Sequence, residues 1–182
     1  MKYIINTYYG PIKSNILIRA NKIRLLICDA DGVMSNGLIY MSNNNDEFMT
    51  FNVRDGYGIR CLKMHNIEIA IITNRFTNIL KNRAKILGID HLYQKQFNKC
   101  IAFYDLLKKL SLKKEQVVYI GDDLIDWPVM KQVGLSVAVS NAHPFLINKS
   151  HYVTKNLGGH GAIRELCDII LLSQNKLENL KI

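Results

Sequence analysis

The sequence has no long apolar run, few cysteines and a shortage of acidic residues. Among its 182 residues, 15 are Asp or Glu and 24 are Lys or Arg, which gives a formal net charge of +9. No uninterrupted apolar stretch approaches the roughly 20 residues of a membrane-spanning helix, and residues 1–15 lack the apolar segment of a signal peptide. The four cysteines are far apart and form no C-x-x-C pair. We therefore expect no disulfide framework and a cytoplasmic protein.

The length and the apolar content favour one globular domain. Hydrophobic residues make up 48% of the chain and charged residues 21%, proportions that exclude a disordered or collagen-like protein. A chain of this size buries roughly two-thirds of its unfolded surface. The positive charge leaves three kinds of partner open, namely nucleic acid, an anionic membrane surface and a small anionic substrate.

Short apolar runs alternate with segments of helical period. This alternation predicts a parallel sheet covered by helices. The predicted strands cover residues 23–28, 67–73, 117–120, 135–139 and 151–153. The predicted helices cover residues 78–87, 98–110, 124–133 and 161–174.

Three segments stand apart from this alternation. A polar run at residues 42–46, between two flanking strands, predicts a β-hairpin inserted over residues 36–53. Residues 1–20 are expected to be an irregular or loosely packed N-terminal arm. Residues 158–182 are expected to form a C-terminal helix and tail of the same domain.

Two aspartates stand directly after the first predicted strand, in the segment Asp29-Ala30-Asp31-Gly32. In α/β sheets ligands bind beyond the carboxyl ends of the strands, and carboxylates two positions apart on an extended backbone face the same side. Gly32 lets the chain turn sharply away. A polar strand end followed by a turn is the structural alternative. An EF-hand loop is excluded because a strand, not a helix, precedes the segment.

A second acidic cluster, GDDLID at residues 121–126, also follows a predicted strand. If the strands before the two clusters are neighbours, the carboxylates share one crevice and repel one another. A hard divalent cation relieves that repulsion, and oxygen ligands favour Mg²⁺ over Zn²⁺. Capping of the following helix is an alternative role for Asp122 or Asp123.

Two further strand-end features suit a phosphate group. Thr73, Asn74 and Arg75 end the strand over residues 67–73, where a hydroxyl, backbone N–H groups and a guanidinium lie together. Lys99 opens the helix over residues 98–110, although a cation is unfavourable at a helix N-terminus. This conflict indicates another role for Lys99. An ordinary turn and a solvated lysine are the structural alternatives.

These four strand-end motifs, in this order, resemble those of the haloacid dehalogenase superfamily. Asp29 and Asp31 match its first motif, Thr73 its second, Lys99 its third, and Asp122 and Asp123 its fourth. Longer stretches resemble the 3-deoxy-D-manno-octulosonate 8-phosphate phosphatase family. They are FNVRDGYGIRCL, GDDLIDWPVM, LSVAVSNAHP and GGHGAIRELCD. The implied fold is a Rossmann-like three-layer sandwich with a central parallel sheet, in which a small β-hairpin replaces a cap domain.

The resemblance implies Mg²⁺-dependent hydrolysis of the 8-phosphate of this sugar acid, in lipopolysaccharide biosynthesis. Asp29 would be the nucleophile that forms an aspartyl phosphate, and Asp31 the general acid and base. Thr73 and Lys99 would bind the transferring phosphoryl group. The implied metal ligands are Asp29, Asp122 and the backbone carbonyl of Asp31. The implied substrate-binding residues are Asp31, Asn52, Val53, Arg54, Asp55, Gly56, Arg60, Arg75, Arg83 and Lys99.

The resemblance also implies a homotetramer, in which hairpins assemble and a neighbour's C-terminal tail helps to cover the site. The chain has no room for a cap domain, so we expect active sites near subunit interfaces. A monomer with an open site is the alternative. Two departures from the family pattern are Asn74, where Gly is common, and His160, where Arg is common.

Three other functions compete with this interpretation. One is a related sugar-phosphate or nucleotide phosphatase with the same residues, and another is an inactive scaffold. The third is a nucleic-acid-binding protein, which the charge of +9 suggests. Because the basic residues are dispersed and most aromatic residues fall at core positions, we expect neither a nucleic-acid partner nor a membrane partner.

Overall fold

The computed structural model describes residues 3–178. Within that range the strands, in chain order, are β1 (Ile4–Thr7), β2 (Gly10–Lys13), β3 (Leu25–Cys28), β4 (Tyr40–Met41), β5 (Glu47–Phe48), β6 (Glu68–Ile72), β7 (His91–Tyr93), β8 (Val117–Gly121), β9 (Leu135–Ala138) and β10 (Tyr152–Val153). The α-helices are α1 (Ser14–Asn21), α2 (Val53–Met64), α3 (Asn78–Leu87), α4 (Lys99–Lys109), α5 (Trp127–Met130), α6 (Pro144–Lys149) and α7 (Ala162–Ser173).

Six strands form one parallel sheet in the order β10-β9-β8-β3-β6-β7. All four residues of β3 are buried, as expected for an apolar strand that is covered on both faces. From β3 the chain first runs to β6 and β7 and then returns to β8 on the other side of β3. A sheet whose strand order reverses in this way has its ligand crevice at the carboxyl ends of the strands beside the reversal.

Helices cover both faces of the sheet. α1, α2 and α7 pack together on one face, and α4 and α5 pack together on the other. The largest buried side chains of the core are Tyr119 and Phe103. The predicted three-layer α/β sandwich with a central parallel sheet is therefore confirmed.

The predicted elements agree with the structure except at their ends and in one helix. Each of the five predicted strands is present, and α3 has the predicted bounds. The helix predicted over residues 124–133 is instead a 3₁₀ turn, Leu124–Asp126, followed by the short α5. β7 was not predicted, because its three residues at the sheet edge begin with a histidine.

The predicted hairpin insertion is present as β4 and β5, which pair antiparallel. At its tip, the Ser42 hydroxyl accepts a hydrogen bond from the Asp46 N–H at 3.1 Å. The hairpin stands outside the six-stranded sheet. It carries several exposed apolar side chains, namely Leu38, Ile39, Tyr40, Met41 and Phe48.

The expectation of an irregular N-terminal arm is wrong. β1 and β2 form an antiparallel hairpin, and α1 follows it directly. Ile12 of β2 and Ile16 and Ala20 of α1 are buried in the main core. Because Ile16 and Ala20 are four residues apart, they lie on the same face of the helix. Residues 179–182 of the predicted C-terminal tail lie outside the described residues. No helix among residues 3–178 has the length and apolar character needed to cross a membrane.

The packing of α1 predicts different costs for two isoleucines on the same helix. Ile16 is 3% exposed and Ile18 is 58% exposed. Ile16→Ala should lower the free energy of unfolding by about 2–4 kcal/mol, because it leaves a cavity in the core. Ile18→Ala should change it by less than about 1 kcal/mol. Urea denaturation followed by circular dichroism measures both, and equal costs would show that α1 does not belong to the core.

Candidate active site

Polar residues follow three neighbouring strands at the point where each strand ends. Asp29 follows β3, Thr73 follows β6 and Asp122 follows β8. Cys28 pairs with Ile71 of β6 and with Ile120 of β8, so the three side chains start from the same level of the sheet. They open into one cavity of about 540 Å³. Its lining residues are Asp29, Asp31, Thr73, Asn74, Arg75, Lys99, Asp122, Asp123 and Ile125.

A single wide turn follows β3 and carries the first two aspartates. The turn is closed by a hydrogen bond of 3.0 Å from the Ser35 N–H to the Ala30 carbonyl. Gly32 has a φ of +77°, and a Cβ atom there would lie 2.1 Å from Oδ2 of Asp122. Only glycine therefore permits this close approach of the turn to Asp122.

The loop before α7 packs against this turn. The Gly159 N–H donates a hydrogen bond of 2.8 Å to the Val33 carbonyl. A Cβ atom on Gly158 would lie 1.7 Å from the Gly32 carbonyl oxygen. The glycine pair therefore lets a distant part of the sequence support the turn that holds Asp31.

Lys99 is buried and bridges two carboxylates. Its Nζ lies 2.8 Å from Oδ1 of Asp29 and 2.7 Å from Oδ1 of Asp126. Burial alone would lower the pKa of Lys99, but the charges of Asp29 and Asp126 raise it above its ordinary value. The ammonium group therefore stays charged, which explains a cation at this unfavourable helix position.

Asp126 is a functional residue whose role the sequence left open. It is fully buried, and its Oδ1 accepts hydrogen bonds from Lys99 at 2.7 Å and from the Tyr119 hydroxyl at 2.6 Å. Its Oδ2 accepts from the backbone N–H groups of Asp122 and Asp123. Because both oxygens are occupied, Asp126 positions Lys99 and the residues 122–123. The sequence feature that could have indicated this role is the position of Asp126 four residues after Asp122 in GDDLID.

Asp123 caps the 3₁₀ turn that follows β8. Its Oδ1 accepts a hydrogen bond of 2.7 Å from the Leu124 N–H. The capping alternative that the sequence analysis left open for Asp122 or Asp123 therefore applies to Asp123. Asp122 is left to face the cavity.

The acidic cluster has the composition of a divalent cation site. Carboxylate oxygens of Asp29, Asp122 and Asp126 lie within 4.8 Å of one another. Burial, followed by the charge of Asp126, raises the pKa of Asp29 well above its ordinary value, although Lys99 opposes this shift. Burial and the carboxylates of Asp126 and Asp123 raise the pKa of Asp122 to about 7. Since Asp126 is saturated, Asp29 and Asp122 are the carboxylates that fit a metal ion.

Arg75 connects the hairpin to the cavity. Its guanidinium lies 3.2 Å from Oδ1 of Asp31 and also contacts the carboxylate of Glu47 on β5. Its backbone N–H donates to the hydroxyl of Thr73 at 3.1 Å. The structure thus brings Arg75, Asp31 and Thr73 together, and Glu47, which no sequence motif indicated, joins them.

Seven of the ten predicted substrate-binding residues do not line this cavity. Arg54 lines a different cavity, Arg60 donates to the Ile86 carbonyl at 3.5 Å, and Arg83 donates to the Asn52 carbonyl at 3.4 Å. The other four residues outside the cavity are Asn52, Val53, Asp55 and Gly56. Within one chain, these seven residues therefore do not share the cavity that Lys99 lines.

Local structure accounts for several of these positions. The Asn52 side chain caps α2 by accepting from the Arg54 N–H at 2.8 Å. Asp55 is buried and accepts from the backbone N–H of Arg164 at 2.7 Å, so it holds the start of α7. Gly56, also outside the cavity, leaves room for the Arg83 guanidinium, which would lie 2.8 Å from a Cβ atom there. These residues join α2 to its neighbours within the chain.

Comparison with known proteins gives one consistent result. A model of the haloacid dehalogenase-like hydrolase family matches residues 66–166. The 3-deoxy-D-manno-octulosonate 8-phosphate phosphatase of Yersinia pestis is 62% identical over 174 residues, which are 96% of this chain and 93% of that protein. The corresponding phosphatase of Escherichia coli K12 is 58% identical over 175 residues, with the same two shares, 96% and 93%.

Solved structures agree with these sequence matches. The structure of the Yersinia pestis phosphatase has a TM-score of 0.97 and 60% identity, and the match covers 98% of this chain and 96% of that one. The Moraxella catarrhalis phosphatase was solved in complex with a magnesium ion, a phosphate ion and a KDO molecule. It has a TM-score of 0.89 and 38% identity, and the match covers 91% of this chain and 95% of that one.

The raised pKa of Asp122 predicts a pH-dependent metal affinity. A cation binds the carboxylate form, so metal binding must release the proton that Asp122 holds below a pH of about 7. Mg²⁺ affinity should therefore fall as the pH decreases from about 8 to about 6, approaching roughly tenfold per pH unit for each proton released. Isothermal titration calorimetry measures this dependence.

Two variants distinguish the pH dependence that Asp122 causes from the effect of removing any one negative charge. Asp122→Asn should remove most of the affinity and its pH dependence. Asp90→Asn should keep both, because Asp90 is an exposed aspartate paired with Lys63 at 3.4 Å. A wild-type affinity that is constant between about pH 6 and about pH 8 would contradict the prediction.

Proposed function

The chain belongs to the family of haloacid dehalogenase-like hydrolases, and from that premise we propose how its residues hydrolyse a phosphate monoester. The enzyme is a phosphatase that converts 3-deoxy-D-manno-octulosonate 8-phosphate and water into 3-deoxy-D-manno-octulosonate and inorganic phosphate. Its cofactor is Mg²⁺. The reaction belongs to lipopolysaccharide sugar biosynthesis, and we place it in the cytoplasm.

One observation carries the proposal. The buried Lys99 ammonium holds Oδ1 of Asp29 at 2.8 Å, in a cavity that Asp31, Thr73 and Asp122 also line. A nucleophile, an acid, a phosphate-binding cation and metal ligands therefore share one opening. This is the set of groups that phosphoryl transfer through an enzyme carboxylate requires.

Asp29, Asp122 and the backbone carbonyl of Asp31 would hold the magnesium ion. The two carboxylates fit the ion because they crowd each other and because Asp126, their third neighbour, is saturated by four hydrogen bonds. When bound, Mg²⁺ would neutralise part of the negative charge of the phosphate and orient the phosphate for in-line attack.

Asp29 is the nucleophile. The Ala30 N–H and Lys99 both donate to its Oδ1, at 2.7 Å and 2.8 Å, so the carboxylate is fixed in one orientation. A carboxylate oxygen of Asp29 forms a bond to phosphorus as the bond to the sugar oxygen breaks. The product of this step is an aspartyl phosphate, and the sugar leaves with the proton that Asp31 donates.

Asp31 moves the proton in both half-reactions. In the first step it protonates the leaving sugar oxygen, and in the second it accepts a proton from the water that attacks phosphorus. Arg75 lies 3.2 Å from Oδ1 of Asp31, so it orients the carboxyl group toward the cavity. In the second step water replaces Asp29 on phosphorus and releases inorganic phosphate with free Asp29.

Thr73 and Lys99 bind the transferring phosphoryl group. The Thr73 hydroxyl is buried and accepts from the Arg75 N–H, so its own proton is available to a phosphate oxygen. The Lys99 ammonium stabilises negative charge on the same oxygens while it restrains Asp29. Asn74 lines the cavity beside them, with a side chain where the family commonly has glycine.

The far end of the substrate requires residues that one chain does not bring to the cavity. Arg54, Arg60 and Arg83 lie on α2 and α3, outside the lining of the catalytic cavity. Guanidinium groups suit the carboxylate of a sugar acid. A neighbouring subunit would place such groups over the opening, together with its residues 52–56.

A homotetramer accounts for the exposed hairpin. Apolar side chains on a small hairpin, among them Met41 at 68% and Phe48 at 59% exposure, are costly in water and typical of an interface. Assembly of hairpins from several subunits would bury them and would partly roof each active site. The C-terminal tail of a neighbour would then help to cover the substrate.

Replacement of the nucleophile tests the reaction. Asp29→Asn should lower kcat for 3-deoxy-D-manno-octulosonate 8-phosphate by roughly three orders of magnitude or more, because an amide cannot form the aspartyl phosphate. Phosphate release measures this loss, with and without Mg²⁺. Asp90→Asn, at an exposed site on the sheet edge, should keep the wild-type rate.

Two outcomes would contradict the reaction as proposed. Equal rates for the wild type and Asp29→Asn would refute Asp29 as the nucleophile. In a panel of phosphate esters, a higher kcat/KM for a nucleotide or for another sugar phosphate would show that the enzyme has a different substrate. The type of reaction would be unaffected by that result.

A charge placed on the hairpin tests the assembly. Phe48→Lys should dissociate the tetramer and lower kcat/KM by about tenfold or more, because the partner's residues leave the site. Ile18→Lys, at an equally exposed position on α1, should leave both unchanged. Analytical ultracentrifugation gives the mass of each variant. A wild type that is fully active as a monomer would refute the shared site.

A further inference from the structure

A phenol hydroxyl lies inside the apolar core, on the interior strand β8. Tyr119 is fully buried and is one of the largest side chains of the core. Its backbone pairs with Ile27 of β3 and with Ser136 of β9, so neighbouring strands fix it on both sides. A phenylalanine would fill nearly the same volume without burying a polar atom, and burial of a polar atom costs free energy unless the atom is hydrogen-bonded. The hydroxyl at this position therefore needs a specific partner.

That partner is the buried carboxylate of Asp126. The Tyr119 hydroxyl donates a short hydrogen bond of 2.6 Å to Oδ1 of Asp126. Burial, followed by the charges of Asp126 and Asp29, raises the pKa of Tyr119 well above its ordinary value, so the phenol keeps its proton. Tyr119 does not line the catalytic cavity. It can therefore affect the reaction only through the residues that it contacts.

Asp126 connects this hydroxyl to Lys99. Its Oδ1 accepts from the Lys99 ammonium at 2.7 Å as well as from Tyr119. The same ammonium lies 2.8 Å from Oδ1 of Asp29. A continuous series of short contacts thus leads from the core to the nucleophile, in the order Tyr119, Asp126, Lys99 and Asp29. All four side chains belong to buried residues.

The phenol is the rigid end of this series of contacts. A tyrosine side chain has two torsions, and the backbone of Tyr119 is held in the sheet. A lysine side chain is a flexible four-carbon stem, so the position of the Lys99 ammonium depends on the oxygens around it. Because Tyr119 fixes Oδ1 of Asp126, that oxygen provides a fixed point from which the distance between Lys99 and Asp29 is set.

We propose that Tyr119 is a positioning residue for phosphoryl transfer, because its hydroxyl fixes Asp126 and thereby holds Lys99 beside the nucleophile. This inference rests on the reaction proposed above for Asp29. The contribution of Tyr119 is largest in the transition state, where Lys99 stabilises the charge on the phosphoryl oxygens and keeps Asp29 aligned. A hydroxyl with a merely structural role would stabilise the fold without altering kcat.

Tyr119→Phe tests this role, because it removes the hydroxyl and keeps the ring. With saturating Mg²⁺, kcat and kcat/KM for 3-deoxy-D-manno-octulosonate 8-phosphate should both fall by about threefold to thirtyfold, and KM should change by less than about twofold. Orthovanadate, which mimics the five-coordinate phosphorus of the transition state, should inhibit the variant more weakly by the same factor as kcat. Inorganic phosphate, a ground-state ligand, should inhibit the variant and the wild type almost equally.

Tyr93→Phe is the matched control. It also removes a tyrosine hydroxyl that donates to a carboxylate at 2.6 Å, but the acceptor is Asp105 on α4, which does not line the catalytic cavity. This variant should keep the wild-type kcat and the wild-type inhibition by orthovanadate. Circular dichroism under the assay conditions shows whether both variants are folded.

A double-mutant cycle tests the route through Asp126. Asp126→Asn should itself lower kcat, because a neutral amide attracts the Lys99 ammonium less strongly than a carboxylate does. Addition of Tyr119→Phe to Asp126→Asn should then lower kcat by less than about twofold, since the hydroxyl no longer has a charged acceptor to fix.

Three results would overturn the inference. The first is a folded Tyr119→Phe enzyme whose kcat and orthovanadate inhibition equal those of the wild type. The second is an equal loss of kcat in Tyr93→Phe. The third is a double variant in which the two losses multiply fully, which would show that the hydroxyl does not act through Asp126.

The Asp29→Asn variant distinguishes failure of this inference from failure of the proposed reaction. If Asp29→Asn is inactive, as expected, any of the three results refutes only the positioning role of Tyr119. Wild-type activity in Asp29→Asn would instead refute the reaction, and the positioning role with it.

Discussion

The crowding of three carboxylates at the ends of two paired strands determines the rest of the catalytic centre. β3 and β8 pair in register, so their backbone hydrogen bonds fix how closely Asp29 and Asp122 approach. Asp126 adds a third charge, and a buried charge costs several kcal/mol unless it is paired. Lys99 offsets part of this repulsion, and a divalent cation offsets the remainder. Metal dependence is therefore a consequence of the sheet topology and not of a separate metal-binding element.

The same crowding explains why glycines surround the first turn. The backbone of Gly32 passes so close to Asp122 that a methyl group would overlap its carboxylate, and Gly158 approaches the carbonyl of Gly32 in the same way. The loop that carries Gly158 is held in turn by α7, whose buried Glu165 accepts hydrogen bonds from the backbone N–H groups of residues 155 and 156. The helix and the loop near the end of the chain thus stabilise the turn near its beginning that carries Asp29 and Asp31.

Sequence patterns could predict five of the six strands of the sheet, the helices α3, α4 and α7, and the polar residues at the strand ends, because buried strands and helix periods are local signals. They did not predict α1, α2 or α6. They could not predict the role of Asp126, since its four donors come from three separate elements that only the folded chain brings together. The packed N-terminal segment was missed because its buried residues are spaced across a hairpin and a helix. For Asp55, a sequence motif indicated a role in binding that its contacts within the chain do not support. A motif match carried it into a binding set, whereas the fold uses it to start α7.

In the proposed reaction, the residues at the strand ends act on phosphorus, whereas residues nearer the surface select the substrate. In the proposed reaction, the groups that act on phosphorus lie at the ends of β3, β6 and β8 and at the start of α4, and one chain supplies all of them. The guanidinium groups suited to the sugar acid lie on α2 and α3, and in the proposed homotetramer a neighbouring subunit would bring them to the cavity. Changes at the interface of that proposed tetramer would therefore alter which ester binds without disturbing Asp29 or Lys99. The net charge of +9 fits this division, because a few of the basic residues face an anionic ligand and most of the others are solvated.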